Sequence, residues 1–129
     1  MKESPKSLSV IVPCYNEEES LPALFERIEK VAVEWTEDYE VVCVDDGSRD
    51  QTVELLREQH ARNSKWKVVI LSRNFGHQAA VSAGLESATG EVVAIIDADL
   101  QDPPELIKDL IGKWREGFEV VYAVRKKRK

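Results

Sequence analysis

LSVIVP, at residues 8–13, followed by the polar triplet YNE at 15–17, is the segment from which the fold class can be inferred. Its continuous β-branched character predicts a buried strand, and Pro13 predicts where that strand ends, because proline cannot donate to a sheet ladder. From Ser20 onward apolar residues recur at helical spacing, with Ser20 as the predicted N-cap and Pro22 in the first turn. A buried strand, a polar turn and an amphipathic helix in succession are typical of parallel α/β proteins.

The same alternation continues along the chain. Further strands are predicted at 40–44, 67–71, 91–96 and 119–124, and further helices at 50–61, at 77–88 and from 102 to about 116. The last helix begins with DPPE, which places Asp102 at the N-cap, and Gly90 is expected to cap the helix before it. This pattern predicts a doubly wound, mostly parallel sheet with helices on both faces. Ligands of such sheets bind at the carboxyl ends of the strands.

Length and charge restrict the classes of function. The 129 residues suffice for one domain with a core that needs no metal or disulfide. The net charge is −6, and because the last five residues are all basic, the first 124 carry 13 basic and 24 acidic side chains, a net charge of −11. Such an acidic body repels nucleic acid. Cys14 and Cys43 have no metal or disulfide spacing and are expected to be buried free thiols. No apolar run approaches the ~20 residues that span a bilayer, so the chain itself is expected to be soluble.

Four polar clusters follow the first four predicted strands, at residues 15–17, 45–46, 73–74 and 97–99. Because parallel strands end at one edge of the sheet, we expect these clusters to converge there. Asp97 and Asp99 are two apart at the end of an extended run, so both carboxylates point to the same side. Two carboxylates held close together favour a cation between them, and Mg²⁺ or Mn²⁺ prefers such oxygen ligands.

The DDGS turn at 45–48 admits two interpretations. Asp46 or Ser48 could cap the following helix, whereas Asp45, at the strand end facing the crevice, could accept a hydrogen bond from a ring N–H of a base. The glycine-rich fingerprints of dinucleotide-binding and P-loop proteins are absent from the sequence.

VPCYNEE at 12–18, VDDGSRD at 44–50, RNFG at 73–76 and DADLQDPP at 97–104 together resemble glycosyltransferase family 2. Within that family they resemble the polyprenyl- and dolichyl-phosphate sugar transferases of the cell envelope, over about residues 8–125. The resemblance implies a GT-A fold, a nucleotide-diphosphate-sugar donor, a polyprenyl phosphate acceptor, Mg²⁺ or Mn²⁺, and inversion at the anomeric carbon. The segment 73–78 is more similar to members that use UDP-sugars.

The resemblance also implies the roles of individual residues. The metal ligands would be Asp97, Asp99 and Gln101. The nucleotide-sugar-binding residues would be Pro13, Tyr15, Asn16, Glu17, Asp45, Asp46, Asn74, Gly76, Asp97 and Ala98.

The expected organisation is a polar segment at 1–7, a nucleotide-sugar-binding domain at 8–124 and a basic end at 125–129. Family members continue further, so this chain is expected to be the donor-binding part, able to bind nucleotide and metal without transferring sugar, with the catalytic residues elsewhere. The full-length protein is expected at the cytoplasmic side of the membrane, associated through its C-terminal regions.

Other classes remain open at this point. A donor-binding module without turnover fits the same residues. A sugar nucleotidyltransferase would need a basic glycine-rich loop where residues 15–18 are acidic. A receiver-like module would need an aspartate where Ser72 and Arg73 stand.

Overall fold

The computed structural model describes residues 3, 5–99 and 103–117. Within them, the strands are β1 (Leu8–Cys14), β2 (Tyr39–Asp45), β3 (Trp66–Ile70) and β4 (Val92–Ile95). The α-helices are α1 (Leu21–Val31), α2 (Thr52–Arg62), α3 (His77–Ser87) and α4 (Leu106–Arg115), and a short 3-10 helix, Ala32–Glu34, follows α1. The predicted fifth strand, the basic end at 125–129, Gln101 and Asp102 lie outside the described residues.

The described strands form one parallel sheet in the order β3-β2-β1-β4. This confirms the predicted parallel α/β architecture. The central strands β1 and β2 pair over their whole length, from Leu8 opposite Tyr39 to Cys14 opposite Asp45. That register brings the loops that follow β1 and β2 to the same level at the carboxyl edge of the sheet.

The prediction that β1 ends at Pro13 is wrong, because the strand continues through Pro13 to Cys14. The Ile11 carbonyl accepts the N–H of Ile96 on the β4 side, and the Cys14 carbonyl accepts the N–H of Asp46 on the β2 side. Since successive residues of a strand alternate between the two neighbours, Pro13 faces the β4 side, where β4 has already ended. Its missing N–H therefore costs no ladder hydrogen bond.

Both faces of the sheet are covered by helices. One face packs on α1, α2 and Ile107 of α4, and its strand residues include Val10, Val12, Val41 and Cys43. The other face packs on α3, and its strand residues are Ile11, Val42 and Val44. Alternate residues thus enter opposite cores, which is why the central residues of β1 and β2 are apolar at successive positions. No helix among the described residues is long and apolar enough to cross a membrane.

Two helix ends differ from the predictions. α4 begins at Leu106 rather than at 103, because the carbonyls of Pro103 and Pro104 form a turn ahead of it, accepting from Leu106 and Ile107. α3 ends at Ser87, before Gly90. A Cβ at Gly90 would lie 2.6 Å from the Ser9 backbone nitrogen, so that position requires glycine for close packing.

A buried carboxylate joins three elements at the amino edge of the sheet, opposite the carboxyl ends of the strands. Glu40 accepts hydrogen bonds from the Ser9 hydroxyl at 2.6 Å, from the Thr89 backbone N–H at 2.8 Å and from the Lys67 ammonium at 3.2 Å. Burial alone would raise the pKa of Glu40, but these hydrogen bonds together outweigh it and lower the pKa.

Candidate functional site

A cavity of about 480 Å³ opens at the carboxyl edge of the sheet. Its walls come from the loops after all four described strands and from the first turn of α3. The sequence-predicted residues that line it are Pro13, Tyr15, Glu17, Asp46, Asn74, Gly76, Asp97, Ala98 and Asp99. The lining also includes Cys14, His77 and Ala80. Asn16 and Asp45 lie beside the cavity without lining it, and Gln101 lies outside the described residues.

Two of the residues that motif matching missed belong to α3. His77 is its first residue and Ala80 lies one turn later, so both face the cavity from one side of the helix. Helical periodicity contained this signal, because a helix that begins beside a strand-end crevice presents residues three apart to it.

The two ends of the cavity differ in chemistry. Asp97 and Asp99 follow β4 at one end, whereas Asn74, Gly76 and His77 follow β3 at the other. In the strand order, three interstrand spacings separate β4 from β3, which is about 14 Å at ~4.8 Å per spacing. The cavity therefore extends across the sheet edge from an end with several carboxylates to a polar end whose carboxylate, Asp46, is hydrogen-bonded to the loop after β3.

Glu17 joins Asp97 and Asp99 at the acidic end. Burial raises the pKa of Glu17, and the negative charges of Asp99, Asp97 and Asp50 raise it further, although a hydrogen bond from the Ser20 hydroxyl opposes them. Asp97 is half-buried and Asp99 is exposed. The three carboxylates thus act on one another, and their field attracts a cation into this end of the cavity.

The donor set at the acidic end fits a divalent metal in part. Within residues 5–99 and 103–117, no three acidic, histidine or cysteine side chains are arranged to hold a metal ion. Asp97 and Asp99 offer two carboxylates, which are hard oxygen donors. This suits Mg²⁺ or Mn²⁺, which keep several coordination positions for water and phosphate oxygens.

Asp45 has one carboxylate oxygen in use and one without a partner. Its Oδ2 accepts the N–H groups of Gly47 at 3.2 Å and of Ser48 at 3.1 Å, which closes the turn after β2. Its Oδ1 is buried and has no hydrogen-bond partner in the described part of the chain. An unpaired buried acceptor is costly, so this atom points to a donor that the described residues do not supply.

Asp46 has the opposite environment. Its carboxylate accepts the N–H of Phe75 at 2.8 Å, the N–H of Gly76 at 3.1 and 3.3 Å, and the Asn74 side-chain amide at 3.2 Å. The suggestion that Asp46 or Ser48 caps α2 is therefore wrong. Asp46 bonds the loop after β3, and the Ser48 hydroxyl accepts from Asn16.

Asn16 joins two loops together. It has a φ of 51°, its N–H donates to the Ser48 hydroxyl at 2.8 Å, and its Oδ1 accepts the N–H of Arg49 at 2.8 Å. The next residue continues this contact, since the Glu17 N–H donates to Thr52 Oγ1 at 2.8 Å. Asn16 thus positions the loop that carries Tyr15 and Glu17.

Known proteins match this chain in sequence. The profile of Glycosyl transferase family 2 matches residues 9–129. The undecaprenyl-phosphate 4-deoxy-4-formamido-L-arabinose transferase of Pseudomonas fluorescens (strain Pf0-1) is 48% identical over 119 residues, which are 92% of this chain and 35% of that protein.

Solved structures match it in fold. The mannosyltransferase PcManGT from Pyrobaculum calidifontis, in complex with GDP-Man and Mn²⁺, has a TM-score of 0.62 at 31% identity, covering 75% of this chain and 28% of its own. S. aureus TarS 1–349, in complex with UDP-GlcNAc, has a TM-score of 0.61 at 33% identity, covering 81% of this chain and 32% of its own.

The chain thus spans about a third of the length of these relatives. The family profile covers nearly all of it, which argues against the nucleotidyltransferase and receiver alternatives. With the family's motifs at the strand ends of a parallel sheet, this chain belongs to glycosyl transferase family 2 and has the GT-A fold.

Proposed function

We propose that this domain binds a nucleotide-diphosphate sugar together with Mg²⁺ or Mn²⁺, and that it serves inverting transfer of the sugar to a polyprenyl phosphate. The observation that carries the proposal is the uneven distribution of carboxylates in the cavity, with Glu17, Asp97 and Asp99 at one end and only the hydrogen-bonded Asp46 carboxylate beside the β3 end among the described lining residues. Three carboxylates repel a free diphosphate but accommodate a metal–diphosphate complex.

This polarity also orients the donor. The diphosphate lies with the metal at the Asp97–Asp99 end, and the nucleoside extends toward the β3 end, over the about 14 Å that three strand spacings provide. We assign the Oδ1 of Asp45 as the acceptor for a ring N–H of the base; because this atom is buried and Asp45 does not line the cavity, nucleotide binding must expose it. A charged acceptor in such a position favours a base that presents an N–H, as uracil and guanine both do.

The chemistry follows from these placements. When bound, the metal supplies neutralisation of the charge that develops on the departing diphosphate. Asp97 and Asp99 would hold the metal. Glu17 would make the electrostatic potential at this end more negative without coordinating the metal. A phosphate acceptor is already ionised near neutral pH, so positioning and leaving-group stabilisation contribute more than a base.

The acceptor is proposed from relatives. The name of the Pseudomonas fluorescens protein, undecaprenyl-phosphate 4-deoxy-4-formamido-L-arabinose transferase, includes a polyprenyl phosphate, and a lipid of that kind is confined to a membrane. We therefore propose a polyprenyl phosphate acceptor and a full-length protein that works at the cytoplasmic face of the membrane. The proposed preference for a UDP-sugar rests on the similarity of the segment 73–78 to family members that use UDP-sugars. The matched structures do not decide the nucleotide, because one holds GDP-Man and the other holds UDP-GlcNAc.

Calorimetric titration with UDP and GDP, each with and without Mn²⁺, tests the donor site. We expect measurable binding that requires Mn²⁺, with UDP preferred. Asp99→Ala should abolish the metal-dependent part of the affinity and leave the fold intact, because Asp99 is exposed at the cavity rim. Asp109→Ala, an exposed aspartate of α4 away from the cavity, is the matched control and should bind as wild type does. Equal binding with and without metal in wild type and Asp99→Ala would refute the metal assignment.

A further inference from the structure

We infer that Asp46 is a positioning residue, which holds residues 74–77 as the nucleoside-side wall of the cavity and so sets nucleotide affinity through that wall. The inference rests on the proposed function of the cavity and deepens it. It gives different roles to Asp45 and Asp46, which are adjacent and which the sequence alone does not distinguish.

The first argument is the hydrogen-bonding capacity of the Asp46 carboxylate. A carboxylate offers about four lone-pair sites. Oδ1 receives the N–H groups of Phe75 and Gly76, and Oδ2 receives the Gly76 N–H and the Asn74 side-chain amide. Three donors from one segment thus engage both oxygens, with the Gly76 N–H shared between them. Asp45, by contrast, keeps its buried Oδ1 unpaired.

The second argument is how little else holds the segment. Asn74 and Phe75 are exposed, and a Cβ on Gly76 would meet no atom within 4 Å. Gly76 has a φ of 107° and precedes α3, and the N–H groups of Phe75 and Gly76 donate to the Asp46 carboxylate rather than to a strand or a helix. Two further contacts come from the same turn: the Asn74 side-chain amide also donates to the Asp46 carbonyl oxygen at 3.1 Å, and a Cβ on Gly47 would lie 2.4 Å from the Asn74 nitrogen. The turn that contains Asp46 thus supports the segment with both a side chain and a backbone.

The third argument is location. Asn74, Gly76 and His77 line the cavity after β3, three strand spacings from the acidic end. With the diphosphate at the acidic end, this wall faces the nucleoside. Displacement of residues 74–77 should therefore weaken binding of the nucleoside to the same extent with and without bound metal.

The test compares Asp46→Asn and Asp46→Ala with wild type. Two ligands are titrated: the uncharged nucleoside of the preferred base without metal, and the diphosphate with Mn²⁺. We expect Asp46→Asn to weaken both by the same factor, about tenfold, which corresponds to roughly 1.4 kcal/mol. Asp46→Ala should lose more, because asparagine keeps one oxygen that can accept the Phe75 N–H. Amide hydrogen exchange at Phe75 and Gly76 should accelerate in both variants.

Glu40→Gln is the matched control. Glu40 is also a buried carboxylate that accepts backbone and side-chain donors, but at the amino edge of the sheet. It should lose stability comparably while its nucleotide affinity stays within about twofold of wild type, a difference of roughly 0.4 kcal/mol. A loss of affinity in Glu40→Gln as large as in Asp46→Asn would reduce the Asp46 effect to general destabilisation and overturn the inference.

Two further results would also overturn it. One is wild-type affinity in Asp46→Asn despite faster exchange at Phe75 and Gly76, since the position of the wall would then not matter. The other is weakened binding with unchanged exchange, since Asp46 would then contact the nucleotide itself. Failure of wild type to bind any nucleotide is distinguishable, because it refutes the proposed function, and the inference falls with it. If Asp46→Ala does not fold, Asp46→Asn carries the test.

Discussion

Replacing Asp45 by asparagine should weaken nucleotide binding while leaving stability nearly unchanged. The turn after β2 should persist in this variant, because an asparagine oxygen in the place of Oδ2 can still accept from Gly47 and Ser48. The substitution places an NH₂ group at the position of the buried Oδ1. Since that oxygen has no partner in the described structure, an unpaired acceptor is exchanged for an unpaired donor.

The magnitude follows from this geometry. Binding loses a hydrogen bond between a base N–H and a charged acceptor, worth roughly 1.5–3 kcal/mol. At about 1.4 kcal/mol per tenfold, UDP affinity should fall by about tenfold or more. The free energy of unfolding should change by only about 1 kcal/mol, because the turn exchanges charged for neutral hydrogen bonds.

The assay pairs calorimetric titration of UDP in the presence of Mn²⁺ with urea unfolding of the free protein. The Asp46→Asn variant provides the comparison, since it should lose both affinity and stability. Wild-type UDP affinity in Asp45→Asn would refute the assignment of Oδ1 to the base. A larger loss of stability in Asp45→Asn than in Asp46→Asn would refute the claim that Asp45 Oδ1 has no hydrogen-bond partner among the described residues while the Asp46 carboxylate has several.

Two further predictions concern stability. Because the folded-state pKa of Glu40 is lowered, its contribution is complete above the ordinary glutamate pKa and is lost as the pH falls through the lowered value. Glu40→Gln should therefore cost about 2–3 kcal/mol near neutral pH and progressively less toward acid, measured by urea unfolding across that range; a cost that is independent of pH would contradict this. Gly84→Ala should destabilise by about 1–3 kcal/mol, since its Cβ would lie 2.5 Å from Ile11 Cγ2 and 3.2 Å from Val44 Cγ2. Gly112→Ala in α4, where a Cβ meets nothing within 4 Å, should instead stabilise by up to about 1 kcal/mol, and equal effects of the two substitutions in thermal unfolding would show that α3 adjusts freely.

The positions of the strands were predictable because the central strands β1 and β2 are buried on both faces and the edge strands are rich in β-branched residues. A parallel strand between two helical layers is apolar at successive positions, and that pattern is local in the sequence. The ends of the elements were less predictable. β1 continues through Pro13 only because its neighbour β4 ends earlier. The length of a neighbouring strand cannot be predicted from the sequence of β1. The start of α4 similarly depends on a turn that the DPPE motif does not distinguish from a cap.

The sequence alone was enough to establish the alternation of strands and helices, the polar clusters at the strand ends and, through its motifs, the family. The sequence alone could not show which residue of each cluster contacts the ligand and which one holds a neighbouring loop. Asp45 and Asp46 are adjacent and chemically identical, yet among the described residues one has a buried oxygen without a partner and the other accepts hydrogen bonds from a loop about thirty residues away. Asn16, in the loop after β1, accepts a hydrogen bond from Arg49 in the loop after β2, which is also about thirty residues away. These roles come from the strand order β3-β2-β1-β4, because it sets which loops are neighbours, and hydrogen-bond partners far apart along the chain leave no local pattern in the sequence.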